Sequence, residues 1–169
     1  MPQLRLEPWS ARDLPLLRQL NAPEMTEHVG GPESEEKLLE RQDRYVAGGT
    51  AGAGGMFTIV VLPHEKAAGS IGYWERVWHN ETVYETGWSV LPSFQGRGLA
   101  AEATFAVVEL AKAERRHRHL HAYPSVDNPA SNAICRTVGL ELLGECDFEY
   151  PPGHLMRCND WRLDLTLLG

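Results

Sequence analysis

The sequence predicts an α/β (α+β) fold in which helices cover a mixed sheet. The main observation is the order of its segments, which have the patterns of seven strands and four helices: strand, two helices, three strands, helix, strand, helix and two strands. A length of 169 residues and a hydrophobic content of 43% suit one compact domain with a full core. We find no internal repeat and no linker, so a single domain over residues 1–169 is expected.

Turn and capping residues separate the predicted elements. Ser10, followed by Asp13, resembles a capping box and opens the first helix. Proline and glycine residues make 21–34 a loop, and Gly139 ends the last helix as a C-terminal glycine does. Strands are predicted over 3–7, 56–62, 68–78, 82–90, 119–123, 141–149 and 156–167. Helices are predicted over 10–20, 35–46, 99–115 and 129–138.

The composition excludes several classes of protein. The net charge is −7, which argues against binding to nucleic acid through phosphate contacts and favours a positively charged small substrate. The N-terminus has no apolar signal core, and no apolar run is long enough to span a membrane. The three cysteines form no CxxC pair, which is typical of reduced thiols. We therefore expect a cytoplasmic protein with no nucleic-acid or membrane partner.

A glycine-containing turn before the third predicted helix has the features of an anion site. The first N–H groups of a helix have no partner within it, and the helix dipole adds partial positive charge there. Glycines let the backbone approach a bulky anion, so a phosphate or pyrophosphate is the expected occupant. The structural alternative is a glycine-assisted loop before a buried helix. The residues of the turn are Gln95, Gly96, Arg97, Gly98, Leu99 and Ala100.

Two other glycine patterns are weaker. Gly96, Gly98 and Ala101 satisfy the dinucleotide fingerprint GxGxxA, which needs a compact βαβ unit and an acidic residue about 20 positions later. The matching region, 115–119, is basic, and three strands in series precede the motif. The segment 48–55, GGTAGAGG, is followed by a strand and lacks the lysine of a phosphate loop, so a flexible connector is predicted there.

The stretch VLPSFQGRGLA, residues 90–100, resembles motif A of the GCN5-related N-acetyltransferase (GNAT) superfamily. That motif is Gln or Arg, two residues, Gly, one residue, then Gly or Ala. Gln95, Gly98 and Ala100 fill it. The glycine turn is therefore similar to the turn with which this family binds the pyrophosphate of acetyl-CoA.

Two further blocks support the resemblance. NPASNAICRTVGL, residues 128–140, is similar to a later block of the family, and its separation from the first motif is correct. YETGWSV, residues 84–90, looks like the branch that acetylates the N-termini of ribosomal proteins. Two motifs at the correct separation are more specific than either alone, and the element order agrees over the whole chain. The chain is identified as a member of the GNAT superfamily.

The resemblance implies a GNAT-like fold, a mixed, mostly antiparallel central sheet of about seven strands flanked by about four helices. It implies an acetyl-CoA-dependent N-acetyltransferase that needs no metal. Such an enzyme moves an acetyl group to a primary amine of a small molecule or a protein N-terminus by direct attack in a ternary complex. The alternative is a non-catalytic acetyl-CoA-binding or interaction module. The final strands of the family often pair between subunits, so a homodimer is compatible with the resemblance.

The resemblance also assigns roles in cofactor binding. The N–H groups of residues 95–100 would hold the pyrophosphate, and Arg97 would add positive charge. The strand before motif A splays from its neighbour in this family, so the N–H of Val90 would polarise the thioester carbonyl. Asn128 would bond the pantetheine arm or a water beside it, although an asparagine before a helix is equally an N-cap. Ser131 is implied as a weaker contact.

Proton transfer involves two further positions. Glu85 sits where this branch often keeps a carboxylate facing the cleft, which suits a general base acting directly or through water. A salt-bridged structural glutamate explains it equally well. Cys135 stands where many relatives have a tyrosine that protonates the leaving thiolate. A cysteine is more often a small buried apolar residue, so water is the alternative donor.

Histidines and acidic residues are the remaining candidate site residues. His117, His119 and His121 alternate, so one strand would place all three on one face, as a metal site needs. Positive charge at the end of a helix explains them more simply, and no metal is predicted. In the family, two loops form the acceptor pocket. In this sequence they contain Glu24, Glu27 and His28 in the first loop and residues 150–154 in the second.

Overall fold

A seven-stranded sheet organises the protein, whose computed structural model describes residues 3–48, 54–150 and 152–167. Its strands are β1 (Leu4–Pro8), β2 (Gly54–Val61), β3 (Lys66–Trp78), β4 (Glu81–Val90), β5 (His119–Ala122), β6 (Glu141–Glu149) and β7 (Leu155–Asp164). Their order across the sheet is β1-β2-β3-β4-β5-β7-β6. β4 and β5 pair in parallel, and the other neighbours pair in antiparallel fashion. The predicted mixed, mostly antiparallel sheet is confirmed.

Five helices accompany the sheet in the described part of the chain. They are α1 (Leu14–Leu20), α2 (Pro23–Thr26), α3 (Glu35–Ala47), α4 (Leu99–Glu114) and α5 (Pro129–Val138). None of these helices is long and apolar enough to cross a membrane. Most of the predicted connector over 48–55 lies outside the described residues, which resume at Gly54.

The short helix α2 is the main departure from the predicted element order, because it lies within the predicted loop 21–34. Pro23 occupies its first turn, where the missing N–H of proline has no cost. The side chain of Asn21 closes the rest of the loop by bonding both backbone groups of Glu33, at 3.0 and 2.8 Å. Pro23 therefore starts a turn of helix in a segment whose glycines and prolines predicted only irregular backbone.

The two faces of the sheet are covered differently. α4 and α5 pack on one face, here called the helix face, over a continuous core that includes Tyr73, Tyr84, Leu120 and Trp161. α1 and α3 pack near β2 and β3 on the opposite face, around Trp9. A third cluster lies on that opposite face over β5, β6 and β7 and consists of Tyr123, Phe148 and Cys158. The opposite face, between the last two clusters, is the one that carries the chemistry described below.

Glu114 ties the end of α4 to the sheet. Its carboxylate accepts hydrogen bonds from the hydroxyl of Tyr73, at 2.6 Å, and from that of Tyr84. Both tyrosines are buried in the core of the helix face. Burial, followed by the hydrogen bond to Glu114, raises the pKa of both tyrosines. Both hydroxyls therefore stay protonated and donate to one carboxylate.

Replacing Glu114 by alanine is expected to lower the free energy of unfolding by about 2–4 kcal/mol, because each buried hydroxyl left without a partner costs about 1–3 kcal/mol. Urea denaturation measures the change. Glu109→Ala is the matched control, since Glu109 lies on the same helix with a side chain that is 74% exposed. Equal stability of the two variants would contradict the assigned role of Glu114.

Candidate active site

A gap opens between β4 and β5 towards the end of β4. The two strands are in register at Tyr84–Leu120 and Glu85–His121, and β4 then continues to Val90 while β5 ends at Ala122. Leu91 donates its N–H to Ala68 on the β3 side, at 2.8 Å. Because N–H directions alternate along a strand, the N–H of Val90 points to the other side, into the gap.

The glycine turn leads from this gap into α4. Gly96 has φ +80° and Gly98 has φ +76°, a left-handed region that costs other residues about 1–2 kcal/mol. A Cβ at either position would meet no atom of the described protein within 4 Å. Glycine is therefore required here by backbone conformation, and the space in front of the turn is open to a ligand.

Most amides of the turn have no hydrogen-bond partner among the residues that the structure describes. Across the described residues, no protein group accepts a hydrogen bond from the N–H groups of residues 96–100. They surround the N-terminus of α4, a helix of 16 residues, whose dipole adds partial positive charge. Free amides and a helix N-terminus together make an anion site of the kind that binds phosphate groups.

Gln95 does not offer its N–H to a ligand, in contrast to the prediction. Its N–H, predicted to bind the pyrophosphate, donates to the carbonyl of Pro92 at 3.2 Å and is occupied. Its side-chain Nε2 donates to the carbonyl of Val90 at 2.8 Å. The set of free amides therefore begins at Gly96, and Gln95 holds the turn against the end of β4.

Arg97 lies beside the anion site as an exposed side chain. Its guanidinium is 5.4 Å from the centre of the Phe94 ring and 3.5 Å from the carbonyl oxygen of Ser93. Both contacts are weak and solvent-exposed, so the positive charge is available to a ligand.

Asn128 begins α5 on the far side of the gap. Its Oδ1 accepts the N–H of Ser131 at 3.1 Å, so the N-cap interpretation holds. The cap occupies the backbone N–H of Ser131, and the side chain of Ser131 is half-buried. The Nδ2 group of Asn128 has no acceptor among the described residues, so it is available to a ligand.

Asn132 is a buried polar residue that the sequence analysis missed. Its Nδ2 donates to the carbonyls of Ser125 and Asn128, at 3.0 and 2.8 Å. Its Oδ1 accepts from Asn159 and Trp161, both at 2.8 Å. With all its hydrogen bonds made, Asn132 joins α5 to β7 and fixes the position of Asn128. Its spacing of three residues from Cys135 on the apolar side of α5 was the available signal.

Glu85 lies on the face of the sheet opposite α4 and α5. Its carboxylate accepts a hydrogen bond from Nε of Arg76 at 2.6 Å, and its side chain is 13% exposed. Burial raises the pKa of Glu85, while the positive charge of Arg76 opposes the shift. A carboxylate with a raised pKa accepts protons better than a solvated one, and the ion pair holds it in place.

Trp74 forms a wall next to Glu85. The two residues are register partners on β3 and β4, so their side chains share a face. Gly87 lies two residues further along, and a Cβ there would be only 3.2 Å from Cη2 of Trp74. The missing side chain of Gly87 therefore lets the indole lie flat over β4 near the opening of the gap.

Cys135 lies in the core and not in the cleft. Its side chain is fully buried beneath α5 in the core of the helix face. Burial raises the pKa of the thiol to about 12. A buried weak acid that faces the core is not in a position to protonate a leaving group in the gap.

The three alternating histidines do not lie on one face of the sheet. β5 begins at His119, and His117 precedes it. His117 bonds Glu75 at 2.5 Å and packs against Tyr84 of the helix face. His119 and His121 lie on the Glu85 face. No three metal-ligating side chains come together among the described residues.

The two loops predicted to form the acceptor pocket do meet, beyond the end of β5. They enclose a pocket of about 320 Å³. Its charge is mainly negative, because the single arginine in its lining, Arg157, is paired with Glu145 at 3.1 Å and Asp147 at 3.0 Å. Glu24 lies outside it. The pocket is lined by Glu27, His28, Gly30, Ser125, Asp127, His154, Met156 and Arg157.

Arg41 of α3 holds the second of these loops in position. Its Nη2 donates to the hydroxyl of Tyr150 at 2.6 Å, and its Nε donates to Glu33 at 2.6 Å. Glu33 belongs to the first loop and Tyr150 to the second. One guanidinium therefore links both walls of the pocket. The contact between Arg41 and Tyr150 joins residues more than 100 positions apart, so local sequence patterns did not indicate it.

Comparison with known proteins identifies the family to which the chain belongs. The model of a family described as "Acetyltransferase (GNAT) domain" matches residues 3–141. A search of functionally curated proteins gave no match. Among solved structures, an acetyltransferase of Agrobacterium tumefaciens is 26% identical with a TM-score of 0.75, and the match covers 96% of this chain and 94% of that one.

Two other solved structures are similar in fold. A Salmonella typhimurium acetyltransferase that modifies the N-terminal serine of ribosomal protein L7/L12 has 21% identity and a TM-score of 0.79, with coverage of 97% and 96%. The spermidine N-acetyltransferase of Vibrio cholerae, in complex with CoA and spermine, has 16% identity and a TM-score of 0.77, with coverage of 97% and 96%.

The family match removes the dinucleotide alternative, since the glycine turn lies within the matched residues. The match also favours an enzyme over the alternative of a non-catalytic module. The chain belongs to the family of GNAT acetyltransferase domains, and it is an acyltransferase.

Proposed function

We propose that the protein transfers the acetyl group of acetyl-CoA to a primary amine by direct attack in a ternary complex. The observation that carries the proposal is the row of free N–H groups over residues 96–100, at the N-terminus of α4 and next to the gap between β4 and β5. These amides bind the diphosphate of the coenzyme, and Arg97 adds charge at the same place.

The gap positions the reacting end of the coenzyme. The pantetheine arm lies between β4 and β5, where Nδ2 of Asn128 and the hydroxyl of Ser131 are available to it. The N–H of Val90 faces the gap and donates to the thioester oxygen, on which negative charge develops during attack. Holding both substrates in one cleft supplies much of the rate acceleration through proximity and orientation.

Glu85 prepares the amine for attack. An ammonium group must lose one proton before its nitrogen can form a bond to carbon, and Glu85 accepts that proton directly or through water. The proton that the leaving thiolate takes up comes from water or from the attacking nitrogen, since Cys135 is buried away from the gap.

The acceptor pocket favours a cationic amine. Glu27 and Asp127 contribute carboxylates to its lining, and its arginine is already paired with two acids. The fold relatives include one that acts on a protein N-terminus and one that acts on spermidine, so both classes of amine are candidates. A cytoplasmic location, a single domain over residues 1–169 and a homodimer remain predictions.

A panel of amines, followed by release of free CoA, tests the function. We expect turnover with at least one cationic primary amine, and Asp127→Asn is expected to raise KM for that amine about tenfold while KM for acetyl-CoA stays nearly constant. Thermal shift with CoA and with NADPH tests binding separately. Stabilisation by NADPH alone, or no amine-dependent CoA release with the folded protein, would contradict the proposal.

A further inference from the structure

Two histidines on β5 form carboxylate pairs that acetyl transfer as described above does not use. Nδ1 of His121 lies 2.7 Å from Oδ1 of Asp160, and Nδ1 of His119 lies 2.6 Å from Oε2 of Glu81. An ionised carboxylate only accepts hydrogen bonds, so Nδ1 carries the proton in both rings. Nε2 of each ring is therefore the nitrogen left to accept a proton.

These pairs form a line that starts at Glu85. Glu85 and His121 are register partners on adjacent strands, which lie about 4.8 Å apart, and their side chains share a face. The rings of His121 and His119 are 6.3 Å apart at 79°, a separation that one water molecule bridges. Side-chain exposure falls from 13% at Glu85 to 4% at His121 and then rises to 12% at His119 and 44% at Glu81.

Each turnover of the reaction needs a route by which one proton leaves the active site. Acetylation of an ammonium group by acetyl-CoA gives an amide, free CoA thiol and one proton, which must leave the protein in every turnover. When the coenzyme and the amine fill the cleft, they separate Glu85 from the solvent on that side. The line of histidines leads instead to the other end of β4, at the turn between β3 and β4.

We propose that His121 and His119 form a relay that carries the proton from Glu85 to solvent at Glu81. The inference rests on the proposed function, with Glu85 as proton acceptor. The N–H bond of the ammonium breaks as an O–H bond forms on Glu85, and that proton then passes to Nε2 of His121. Asp160 stabilises the imidazolium. The Nε2–H bond of His121 then breaks as a bridging water takes that proton and gives one of its own to Nε2 of His119, which releases it to bulk water beside Glu81 and becomes neutral again.

Several charged and titratable groups lie on the same face of the sheet as His121. Asp160 is held by a second hydrogen bond, from Nε1 of Trp78 at 3.1 Å, so its orientation towards His121 is fixed. The ring of Tyr123 stacks on His121 with centres 5.6 Å apart. The groups on this face are Arg76 on β3, Glu81 and Glu85 on β4, His119 on β5, Cys146 on β6, Cys158, Asp160 and Arg162 on β7, and Tyr123 beyond the end of β5.

The test compares His121→Gln and His119→Gln with His117→Gln. His117 is the matched control, since it makes the same kind of pair, with Glu75 at 2.5 Å, on the opposite face of the sheet. With an amine found in the panel, we expect kcat to fall about tenfold in both relay variants while KM for acetyl-CoA and for the amine changes less than twofold. His117→Gln is expected to keep wild-type kcat.

The solvent isotope effect on kcat separates a relay from a structural role. Removal of one relay histidine slows the transfer of the proton out of the cleft, so we expect a larger solvent isotope effect on kcat in both relay variants than in the wild-type protein. If His121→Gln fails to fold, the more exposed His119→Gln still tests the relay through its kcat and its solvent isotope effect.

Each outcome has one meaning. A lower kcat with a larger solvent isotope effect in His121→Gln or in His119→Gln supports the relay. Wild-type kcat and a wild-type solvent isotope effect in the folded His121 and His119 variants overturn the relay and leave the acetyltransferase intact. No acetylation by the wild-type protein would overturn the proposed function and the relay with it.

Discussion

The Glu85→Gln variant is expected to lose about 100-fold or more of kcat while it keeps its affinity for CoA. Glutamine retains an oxygen that accepts the hydrogen bond from Arg76, which is 2.6 Å from Glu85 in the structure, so the local geometry survives. What disappears is the group that takes a proton from the ammonium. Steady-state kinetics and CoA titration measure the two quantities separately.

Glu75→Gln is the control for this experiment. Glu75 lies on the neighbouring strand β3 but faces the side of α4 and α5, where it pairs with His117. Because burial raises the pKa of Glu85, the wild-type protein should show an acidic limb in kcat/KM above pH 4.5, the usual value of the group. A Glu85→Gln variant with wild-type kcat and the same limb would show that Glu85 serves only its ion pair.

The Gly98→Ala variant is expected to bind CoA at least tenfold more weakly. Gly98 has φ +76°, and alanine at that angle costs about 1–2 kcal/mol, so the turn moves towards another conformation. The N–H groups that follow it then no longer converge on one point. The loss of one hydrogen bond to a charged diphosphate corresponds to about 1.5–3 kcal/mol, which is tenfold or more in affinity. Isothermal titration with CoA gives the value.

Gly139→Ala separates ligand binding from backbone strain. Gly139 has φ +96° at the end of α5, and a Cβ there also meets no atom of the described protein within 4 Å. Both variants should therefore lose similar stability, measured by thermal unfolding without ligand. Only Gly98→Ala should lose CoA affinity, and an equal loss in both would show that the effect is general destabilisation.

The free amides of the glycine turn could be predicted from the sequence because the features that produce them are local. Gly96 and Gly98 allow left-handed backbone, and the apolar run that follows them starts a helix, so free amides at this junction follow from residues within one turn. The position of Gln95 was not predictable in the same way. Its N–H turns back to Pro92 and its side chain reaches Val90, and these contacts depend on the 3₁₀ turn that precedes the glycines.

Contacts between distant segments account for what the sequence could not predict. In the sequence, Asn132 is an ordinary asparagine of a predicted helix. Its role depends on hydrogen bonds from Asn159 and Trp161 of β7, which are distant in the sequence. The pairing of His121 with Asp160 likewise needs the register of β5 and β7, which hydrophobic patterns alone do not fix.

The alternation of the three histidines did not determine their positions. It would place all three on one face only if the whole segment 117–121 were a strand, and β5 begins at His119, where the predicted strand 119–123 also begins. His117 therefore lies outside the strand and pairs with Glu75, whereas His119 and His121 pair with carboxylates on the other face of the sheet.

A crystal structure of the protein with bound CoA tests the central claim most directly. We expect diphosphate oxygens within about 3 Å of the backbone nitrogens of residues 96–100, and the pantetheine arm in the gap between β4 and β5. A coenzyme whose diphosphate lies elsewhere on the protein, with those amides still facing solvent, would contradict the account.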